Sequence, residues 1–274
     1  MGKDCTDDMI TSSANQQMKH LSQLMKRAKE RKKEQVFVVE GIKMFQEAPE
    51  DTVVSVYVSE SFLEKPEHEK CLQGYRYEVV SDAVFREISD TQTPQGILAI
   101  VRMPKYDLPD LLQGDHTHLL ILESVQDPGN LGTMVRTGEG AGITGIIMNK
   151  TTVDLFNPKT IRSTMGSIYR VPYLITEHLP DLLDELHKEN IRLYAAHLKG
   201  NTYYDAFDFT GACGFLIGNE GNGLSDEIAE RADSYLKIPM EGKVESLNAA
   251  VSAALLMYEC KRQRKGSSYN ENMV

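Results

Sequence analysis

The second half of the sequence alternates short apolar segments with segments of helical periodicity, and this alternation limits the possible folds more than any other feature. The spacing predicts helices near residues 131–141, 158–165, 178–189 and 246–264. The apolar segments are predicted as strands: "HLLILESV", "GIIM", "VPYLI", "IRLYAA", "GFLIG" and "SYLKIP". Because strands separated by helices form a mostly parallel sheet covered on both faces, we expect an α/β fold for this half.

The first hundred residues contain shorter elements of the same two kinds. The predicted strands are "VFVVEG", "TVVSVYV", "RYEVV" and "GILAIV", and the predicted helices are "IKMFQEA" and "SDAVFREIS". Such a set is typical of a small α/β sandwich. Two prolines and mixed polarity then indicate a linker, although "LPDLLQG" within it has the composition of one helical turn. We expect an N-terminal domain at residues 1–102, a linker at 103–115 and a C-terminal domain at 116–274.

Charge, signal segments and cysteines exclude several classes of protein. The net charge of −10 argues against a protein that coats nucleic acid indiscriminately. The chain shows neither a basic start followed by an apolar run nor about 18 successive apolar residues, so we predict a cytoplasmic protein without membrane spans. The cysteines at 5, 71, 213 and 260 are far apart, and no histidines cluster near them, which predicts inert thiols and no metal site.

Positive charge is nevertheless concentrated in one segment near the N-terminus. Lys19 to Lys33 contains seven lysines or arginines and one glutamate. Its apolar residues recur at helical spacing, which predicts one amphipathic helix of about five turns with its basic side chains pointing outward. Such a face either contacts RNA or is simply solvated, and charge alone does not separate these readings. The candidate RNA contacts are Lys26, Arg27, Arg31 and Lys32.

A glycine-rich turn, "GFLIGNEGNGLSDE", follows one of the predicted strands. A strand, glycines and a helix are also what a phosphate-binding loop requires, so a Rossmann dinucleotide domain is one alternative. That fold needs GxGxxG directly after the first strand, where this chain has "DPGNLG" instead. The dinucleotide interpretation therefore loses most of its support.

Three stretches carry a resemblance to a known family. In order and spacing, "DPGNLGTMVRTGEGAG" (127–142), "LIGNEGNGLSDE" (216–227) and "IPMEGKVESLNAAVSAALLMYE" (238–259) resemble the three motifs of the SpoU, or TrmH, branch of the SPOUT RNA methyltransferases. In the first domain, "FVVEG" and "TPQGILAIV" are similar to that family's accessory RNA-binding domain, which resembles ribosomal protein L30e. The resemblance covers nearly the whole chain.

This resemblance implies more than the residue pattern alone. It implies that the parallel-sheet domain ends in a deep C-terminal trefoil knot and follows a small α/β L30e-like domain. It further implies that S-adenosylmethionine binds, bent, inside the knot and that the protein is a homodimer.

Two candidate catalytic residues belong to the first motif. By its position after "DPG", Asn130 is predicted as a helix N-cap, and the family motif implies that it orients the target ribose. Arg136 is a surface charge on one reading. The resemblance implies instead that it positions the 2′-hydroxyl and stabilises the developing alkoxide, since arginine stays protonated and is a poor general base.

The other candidates belong to the second and third motifs. Glu220 is either a solvated turn residue or a carboxylate that fixes the loop by accepting backbone hydrogen bonds. Ser246 is predicted as the N-cap of the last helix, and the resemblance implies that Ser246 and Asn248 face the reaction. It also implies a cofactor pocket enclosed by Leu198, Gly218, Ile238, Met240 and Leu247.

The expected function is therefore S-adenosylmethionine-dependent methylation of a ribose 2′-hydroxyl in RNA. Ribosomal RNA, and 23S rRNA in particular, is favoured over transfer RNA because the L30e-like domain is more typical of that branch. A transfer RNA methyltransferase and a non-catalytic RNA-binding assembly factor are the alternatives. The order of bases in the substrate is not predicted.

Overall fold

The structure is a computed structural model that describes the backbone of residues 9–270 and the side chains of residues 9–265, so Cys5 lies outside the described residues. The strands are β1 (Val36–Glu40), β2 (Val53–Ser59), β3 (Tyr77–Val80), β4 (Ile97–Arg102), β5 (His118–Leu122), β6 (Gly145–Asn149), β7 (Tyr173–Thr176), β8 (Arg192–Ala196), β9 (Thr202–Tyr203), β10 (Cys213–Ile217) and β11 (Ser234–Lys237).

The helices number from α1 to α12 in chain order. They are α1 (Gln16–Lys26), α2 (Ala28–Glu34), α3 (Ile42–Gln46), α4 (Glu60–Leu63), α5 (Pro66–Glu69), α6 (Asp82–Ile88), α7 (Leu108–Leu111), α8 (Pro128–Ala141), α9 (Pro158–Thr164), α10 (Leu179–Lys188), α11 (Asp226–Ala229) and α12 (Ala249–Asn270). None of those in residues 9–270 has the length and apolarity that crossing a membrane requires.

The chain divides into two compact units. The first consists of Met1–Pro104 together with Asp154–Tyr169, and the second consists of Lys105–Val153 together with Arg170–Val274. The first unit is therefore built from two stretches that are distant in sequence, with α9 belonging to it. The ring of Phe156 from the second stretch lies 4.9 Å from that of Phe37 in β1.

The first unit contains a four-stranded mixed sheet in the order β1-β4-β2-β3. β4 is antiparallel to both β1 and β2, whereas β2 and β3 are parallel. All five residues of β1 are buried, which explains why its first four, Val36 to Val39, are a continuous apolar run rather than an alternating one. The sheet and the helices around it agree with the predicted small α/β arrangement.

The basic segment is two helices, so the prediction of one continuous helix is wrong. Arg27 lies between α1 and α2 with extended backbone angles, φ −122° and ψ 109°. The break leaves carbonyls at the end of α1 without helical partners. Arg31 supplies those partners, since its Nη1 donates to Leu24 O at 2.5 Å and to Met25 O at 3.0 Å.

Arg31 is consequently buried, and its prediction as an RNA contact is also wrong. The residue is only 3% exposed, and its Nη2 lies 2.5 Å from Asp154 Oδ2 within the same unit. A buried guanidinium needs such a carboxylate because an unpaired charge in the interior is costly. Lys26, Arg27 and Lys32 are exposed.

The second unit contains a seven-stranded sheet in the order β7-β6-β5-β10-β8-β11-β9. Every pairing in it is parallel, which confirms the predicted parallel-sheet α/β fold. The short edge strand β9 was not predicted. Its two exposed residues have no apolar run that would indicate a strand.

The later part of the predicted linker is ordered in the second unit. α7 lies within it, with Asp107 and Asp110 forming a capping box. Leu111 is fully buried against Gly145 of β6, where a Cβ atom would lie 2.3 Å from Leu111 Cγ. A glycine at this position therefore lets α7 pack directly on the sheet.

Two of the described cysteines meet in the interior of the second unit. Cys213 and Cys260 are buried with their Sγ atoms 3.8 Å apart, whereas Cys71 in the first unit is partly exposed. Among the described residues, no group of three or more histidine, cysteine or acidic side chains is arranged to hold a metal ion.

Candidate active site

A candidate site lies at the carboxyl edge of the seven-stranded sheet. From β5 the chain builds outward through β6 and β7 on one side, while β10, β8, β11 and β9 lie on the other. Ligands of open parallel sheets bind outside the strand ends where the order reverses in this way. Next to this reversal, beyond the ends of β8, β10 and β11, lies a cavity of about 490 Å³, within the range typical of ligand pockets.

The glycine-rich turn after β10 forms one wall of the cavity. Asn219 and Gly223 pair through two backbone hydrogen bonds of 3.0 and 2.9 Å. Gly223 has φ +69°, and a Cβ on Gly218 would lie 2.1 Å from the backbone of Gly223. Glycine is required at both positions, at one for its backbone conformation and at the other for the close approach.

The side chain of Asn219 braces this turn from within. Its Oδ1 accepts from the backbone N–H groups of Gly221 and Asn222 at 2.9 and 3.0 Å. Its Nδ2 donates to Ser124 O, just beyond β5, at 2.9 Å. The sequence predictions did not include Asn219, although an Asn that opens a glycine turn is a known signal for such side-chain to backbone bonds.

The carboxylate of Glu220 accepts three hydrogen bonds, although the residue itself is exposed. Its Oε2 accepts from Gln126 N at 2.9 Å, and its Oε1 accepts from Asp127 N at 3.1 Å and from Asn130 Nδ2 at 3.0 Å. Partial burial alone would raise the pKa of Glu220, but these hydrogen bonds outweigh it and lower that pKa. The carboxylate is ionised at neutral pH and ties the second motif to the first.

Asn130 continues this connection to the third motif. Its Oδ1 accepts from Asn248 Nδ2 at 2.9 Å. Asn248 Oδ1 in turn accepts from Ala250 N at 2.8 Å and Val251 N at 3.3 Å, which caps the start of α12. Three predicted residues from three separate segments therefore form one hydrogen-bonded chain, Asn248 to Asn130 to Glu220.

The groups at the two ends of this hydrogen-bonded series fix the orientation of the Asn130 and Asn248 side-chain amides. The backbone N–H groups at the start of α12 require an oxygen from Asn248, so its NH₂ group faces Asn130. The carboxylate of Glu220 accepts only, so Asn130 presents its NH₂ group there and its oxygen to Asn248. Reversing either amide would place two acceptors or two donors together.

Both helix N-caps differ from the predicted ones. Asp127, not Asn130, caps α8, because its Oδ1 accepts from Asn130 N at 2.7 Å and Pro128 occupies the first helical position. Asn248, not Ser246, caps α12, which begins at Ala249. Ser246 is exposed and lines the cavity, and among the described residues its hydroxyl makes no hydrogen bond.

All five predicted cofactor residues line the cavity: Leu198, Gly218, Ile238, Met240 and Leu247. Ile238, Met240 and Leu247 come from the segment between β11 and α12, and Leu198 comes from the loop after β8. The Leu198 side chain is 63% exposed at the rim. An exposed leucine at a cavity mouth offers an apolar surface that a ligand would cover.

Two predicted catalytic residues, Asn130 and Arg136, do not line the cavity; Asn130 is hydrogen-bonded to the lining residues Glu220 and Asn248, whereas Arg136 is not. Arg136 lies on α8 and is exposed. Among the described residues it makes no hydrogen bond or ion pair. Its guanidinium is therefore available to a group that the described residues do not supply.

A further residue missed by the sequence predictions lies at the end of β5. Glu123 accepts from Ser225 N at 2.8 Å and from Ser225 Oγ at 2.7 Å. Ser225 is the N-cap of α11, so Glu123 fixes the far end of the glycine-rich turn. A carboxylate directly after a buried parallel strand is a signal for such a position, because the strand ends meet at one edge.

Two family models match the chain. The SpoU rRNA methylase family matches residues 117–258, and the MRM3-like substrate binding domain matches residues 15–99. The "23S rRNA (guanosine(2553)-2'-O)-methyltransferase RlmP" of Bacillus subtilis is 34% identical over 92% of this chain and 98% of its own length. The "23S rRNA (guanosine-2'-O-)-methyltransferase RlmB" of Xylella fastidiosa is 35% identical over 61% of this chain and 68% of its own.

Solved structures agree with these matches. The SpoU methyltransferase AviRb from Streptomyces viridochromogenes, in complex with the cofactor AdoMet, has a TM-score of 0.84 at 26% identity and covers 92% of this chain and 98% of its own. An AdoMet-bound rRNA methyltransferase from Sinorhizobium meliloti has a TM-score of 0.81 at 29% identity, with 93% and 97% covered. Sequence motifs, fold and relatives coincide, and the chain belongs to the SpoU rRNA methylase family.

Proposed function

We propose that this protein transfers a methyl group from S-adenosylmethionine to a ribose 2′-hydroxyl of ribosomal RNA, with 23S rRNA as the favoured substrate. The observation that carries the proposal is the hydrogen-bonded chain from Asn248 through Asn130 to Glu220 beside the cavity. It joins three segments that are distant in sequence and fixes polar groups where a cofactor and a substrate would meet. The rRNA substrate is supported by the named activities of the two relatives.

The residues of the cavity fit S-adenosylmethionine. Apolar walls from Ile238, Met240 and Leu247 suit an adenine ring, and the exposed backbone groups of the neighbouring turns suit its edge. The ionised Glu220 places negative charge on the lining, which favours a cationic sulfonium. When bound, the cofactor supplies an activated methyl group, so the protein has mainly to align the acceptor oxygen.

The chain's own residues would perform that alignment. Glu220 holds the backbone after β5 and Asn130 in one arrangement, which prepares the cavity edge before substrate arrives. The hydrogen bond from Asn248 Nδ2 to Asn130 Oδ1 holds both side chains in place at the edge of the cavity. Ser246 has a free hydroxyl on the lining and is the group that can bond the ribose directly.

Arg136 acts in this proposal by orienting the 2′-hydroxyl and stabilising the alkoxide that develops on it, with a substrate phosphate as the proton acceptor. Because Arg136 lies away from the cavity of its own protomer, we propose that it serves the cavity of a second copy in a homodimer. Support comes from α12, which packs on α8 and leaves Val251 and Tyr258 47% and 48% exposed on one side. Apolar side chains on such a helix suit burial against another copy.

The finer features of the fold are also part of the proposal. The strand order supports the trefoil knot, since β10 inserts between β5 and β8 and the chain after β11 returns to pack α12 on α8 and β10. The mixed sheet of the first unit supports an L30e-like substrate-binding domain at residues 1–102, followed by a linker at 103–115 and the SPOUT domain at 116–274. Exposed Lys26, Arg27 and Lys32 are the proposed RNA contacts, and an rRNA substrate implies a cytoplasmic location.

The experiment that tests the function is methylation of defined RNAs in vitro. The protein is incubated with tritiated S-adenosylmethionine and, separately, with unmodified 23S rRNA, 16S rRNA and bulk transfer RNA, and labelled sites are mapped by resistance of the 2′-O-methylated bond to alkali. Label at a ribose of 23S rRNA is expected. Label in transfer RNA alone would show that transfer RNA, and not rRNA, is the substrate. RNA binding without cofactor binding or label would show that the protein is a non-catalytic assembly factor.

A further inference from the structure

A second, smaller cavity lies in the first unit and plays no part in the site above. It has a volume of about 240 Å³, and its lining is mostly polar. The lining comes from the end of β2, from α4 and α6, and from the loop between α6 and β4. Its residues include Ser59, Ser61, Asp82, Arg86, Gln92 and Thr93.

The loop between α6 and β4 is held in place at both ends. Near its start, the buried carboxylate of Glu40 accepts from Ser89 Oγ at 2.5 Å and from Asp90 N at 3.2 Å. Near its end, Gln95 Oε1 accepts from Ile42 N at 2.8 Å. A loop anchored in this way presents its middle, residues 92–94, in a defined position without needing to be ordered by a ligand.

Gly96 brings this loop against the end of β2 and so forms the floor of the cavity. Its φ is +89°, and a Cβ atom there would lie 2.6 Å from Ser59 Oγ. Ser59 N donates to Gly96 O at 2.8 Å. The cavity is thus a consequence of the backbone path rather than a gap between mobile side chains.

Several polar groups around the cavity keep hydrogen-bonding capacity that the described residues do not use. Ser61 donates to Asp82 Oδ1 from both its backbone N–H, at 3.1 Å, and its hydroxyl, at 2.8 Å, which leaves Asp82 Oδ2 with lone pairs to accept from a ligand. The hydrogen bond from Ser61 N, opposed by partial burial, lowers the pKa of Asp82. The positive charge of Arg86 also lowers the pKa of Asp82, and among the described residues Arg86, Gln92 and Thr93 make no side-chain hydrogen bond or salt bridge.

From this arrangement we propose that the cavity binds one unpaired guanine base of the substrate RNA; the proposal rests on the proposed function. Guanine presents adjacent N–H donors on its Watson–Crick edge, which suit the carboxylate of Asp82, and an O6 acceptor, which suits Arg86 or Gln92. Specific RNA recognition uses unpaired bases in this way. A phosphate is disfavoured by the carboxylate, and the cavity is smaller than those that hold whole cofactors.

The decisive variant is Asp82→Asn. Its Oδ1 can still accept both bonds from Ser61, but its NH₂ group replaces the accepting oxygen with a donor that opposes the N–H groups of guanine. Glu87→Gln is the matched control, because it makes the same charge change at an exposed residue of the same helix that does not line the cavity. Gln92→Ala, on the exposed loop, is a second variant in case Asp82→Asn lowers stability.

Binding is measured by fluorescence anisotropy on an rRNA fragment that the wild-type protein methylates, with S-adenosylmethionine binding measured in parallel by calorimetry. We expect Asp82→Asn to raise the Kd for RNA by about tenfold and to raise KM for RNA with little change in kcat, while Glu87→Gln and cofactor affinity stay at wild-type values. Equal RNA affinity for Asp82→Asn and Glu87→Gln, with Gln92→Ala also unchanged, would overturn the proposal.

A second measurement identifies the base. Unpaired guanines of the fragment are replaced one at a time by inosine, which lacks the N2 amino group. At one position inosine should weaken binding to the wild-type protein but not weaken binding to Asp82→Asn any further. Additive losses at every position would refute direct contact. Failure of the proposed function gives a different result from failure of the guanine site, because the wild-type protein would then not methylate the fragment at all.

Discussion

Replacing Asn130 with alanine tests the connection between the three motif segments. The substitution removes one hydrogen bond to the Glu220 carboxylate, 3.0 Å, and one from the Asn248 amide, 2.9 Å. A hydrogen bond to a charged group contributes about 1.5–3 kcal/mol and a neutral one about 0.5–1.5 kcal/mol. The low ends of these ranges sum to about 2 kcal/mol, and because water reaches this network we treat that sum as an upper limit and expect the free energy of unfolding to fall by about 1–2 kcal/mol. For a unit of this size, that lowers Tm by about 2–8 °C.

The assay is differential scanning calorimetry with and without S-adenosylmethionine, followed by methyl-transfer kinetics. Asn222→Ala is the matched control for stability, because it removes an exposed amide that makes no side-chain hydrogen bond among the described residues. Asn130→Asp should be more damaging than Asn130→Ala at neutral pH, since it sets a second carboxylate against Glu220. If Asn130→Ala melted within about 1 °C of Asn222→Ala and bound the cofactor as well as the wild-type protein, the network would not stabilise the site.

Three further perturbations have defined outcomes. The folded-state pKa of Glu220 is lowered, so its carboxylate stabilises the fold above the ordinary glutamate pKa of about 4.3, and this stabilisation is lost as pH falls through the lower folded value. In urea titrations, the advantage of the wild-type protein over Glu220→Gln should be full at pH 7 and shrink below about pH 4; a pH-independent difference would contradict it. Arg31→Ala should lower the free energy of unfolding by about 3–5 kcal/mol, because it leaves the Asp154 carboxylate without its buried partner. The control Lys32→Ala should change it by less than about 0.5 kcal/mol. Similar melting temperatures for the two variants would be inconsistent with a buried ion pair. Arg136→Ala should abolish methyl transfer and retain cofactor affinity. In an equal mixture of Arg136→Ala with an inactive Asn248→Ala variant, half of the dimers contain one copy of each variant. If Arg136 serves the partner's cavity, each mixed dimer has one intact site, so the mixture should recover about a quarter of wild-type activity. An inactive mixture of exchanging dimers would place Arg136 outside the partner's cavity.

The sheet of the second unit was predictable because its signals are local. Parallel strands buried on both faces are continuous apolar runs, and β5, β6 and β10 all have this character. The caps were harder, since Asp127 and Asn130 are both good N-cap residues three positions apart. Pro128 would have decided between them, because proline favours the first helical position.

Long-range contacts decided the features that the sequence did not predict. Arg31 lies in the same basic stretch of sequence as Lys32 and Lys33, and the carboxylate that pairs with it when buried, Asp154, is 123 positions away. The candidate site shows the same limit. The family motifs indicate Asn130, Glu220 and Asn248 individually, but the hydrogen bonds among them depend on how three segments fold together.

The composition of the first unit has a consequence for how the protein is made. Its core includes Phe156 and the hydroxyl of Tyr169, which donates to Met44 O at 2.9 Å. During synthesis, the N-terminal hundred residues leave the ribosome long before this second stretch, so the unit cannot complete its core until residue 169 has emerged. A protease cut in residues 103–115 would likewise leave two fragments that stay associated, because the later fragment carries part of the earlier unit's interior.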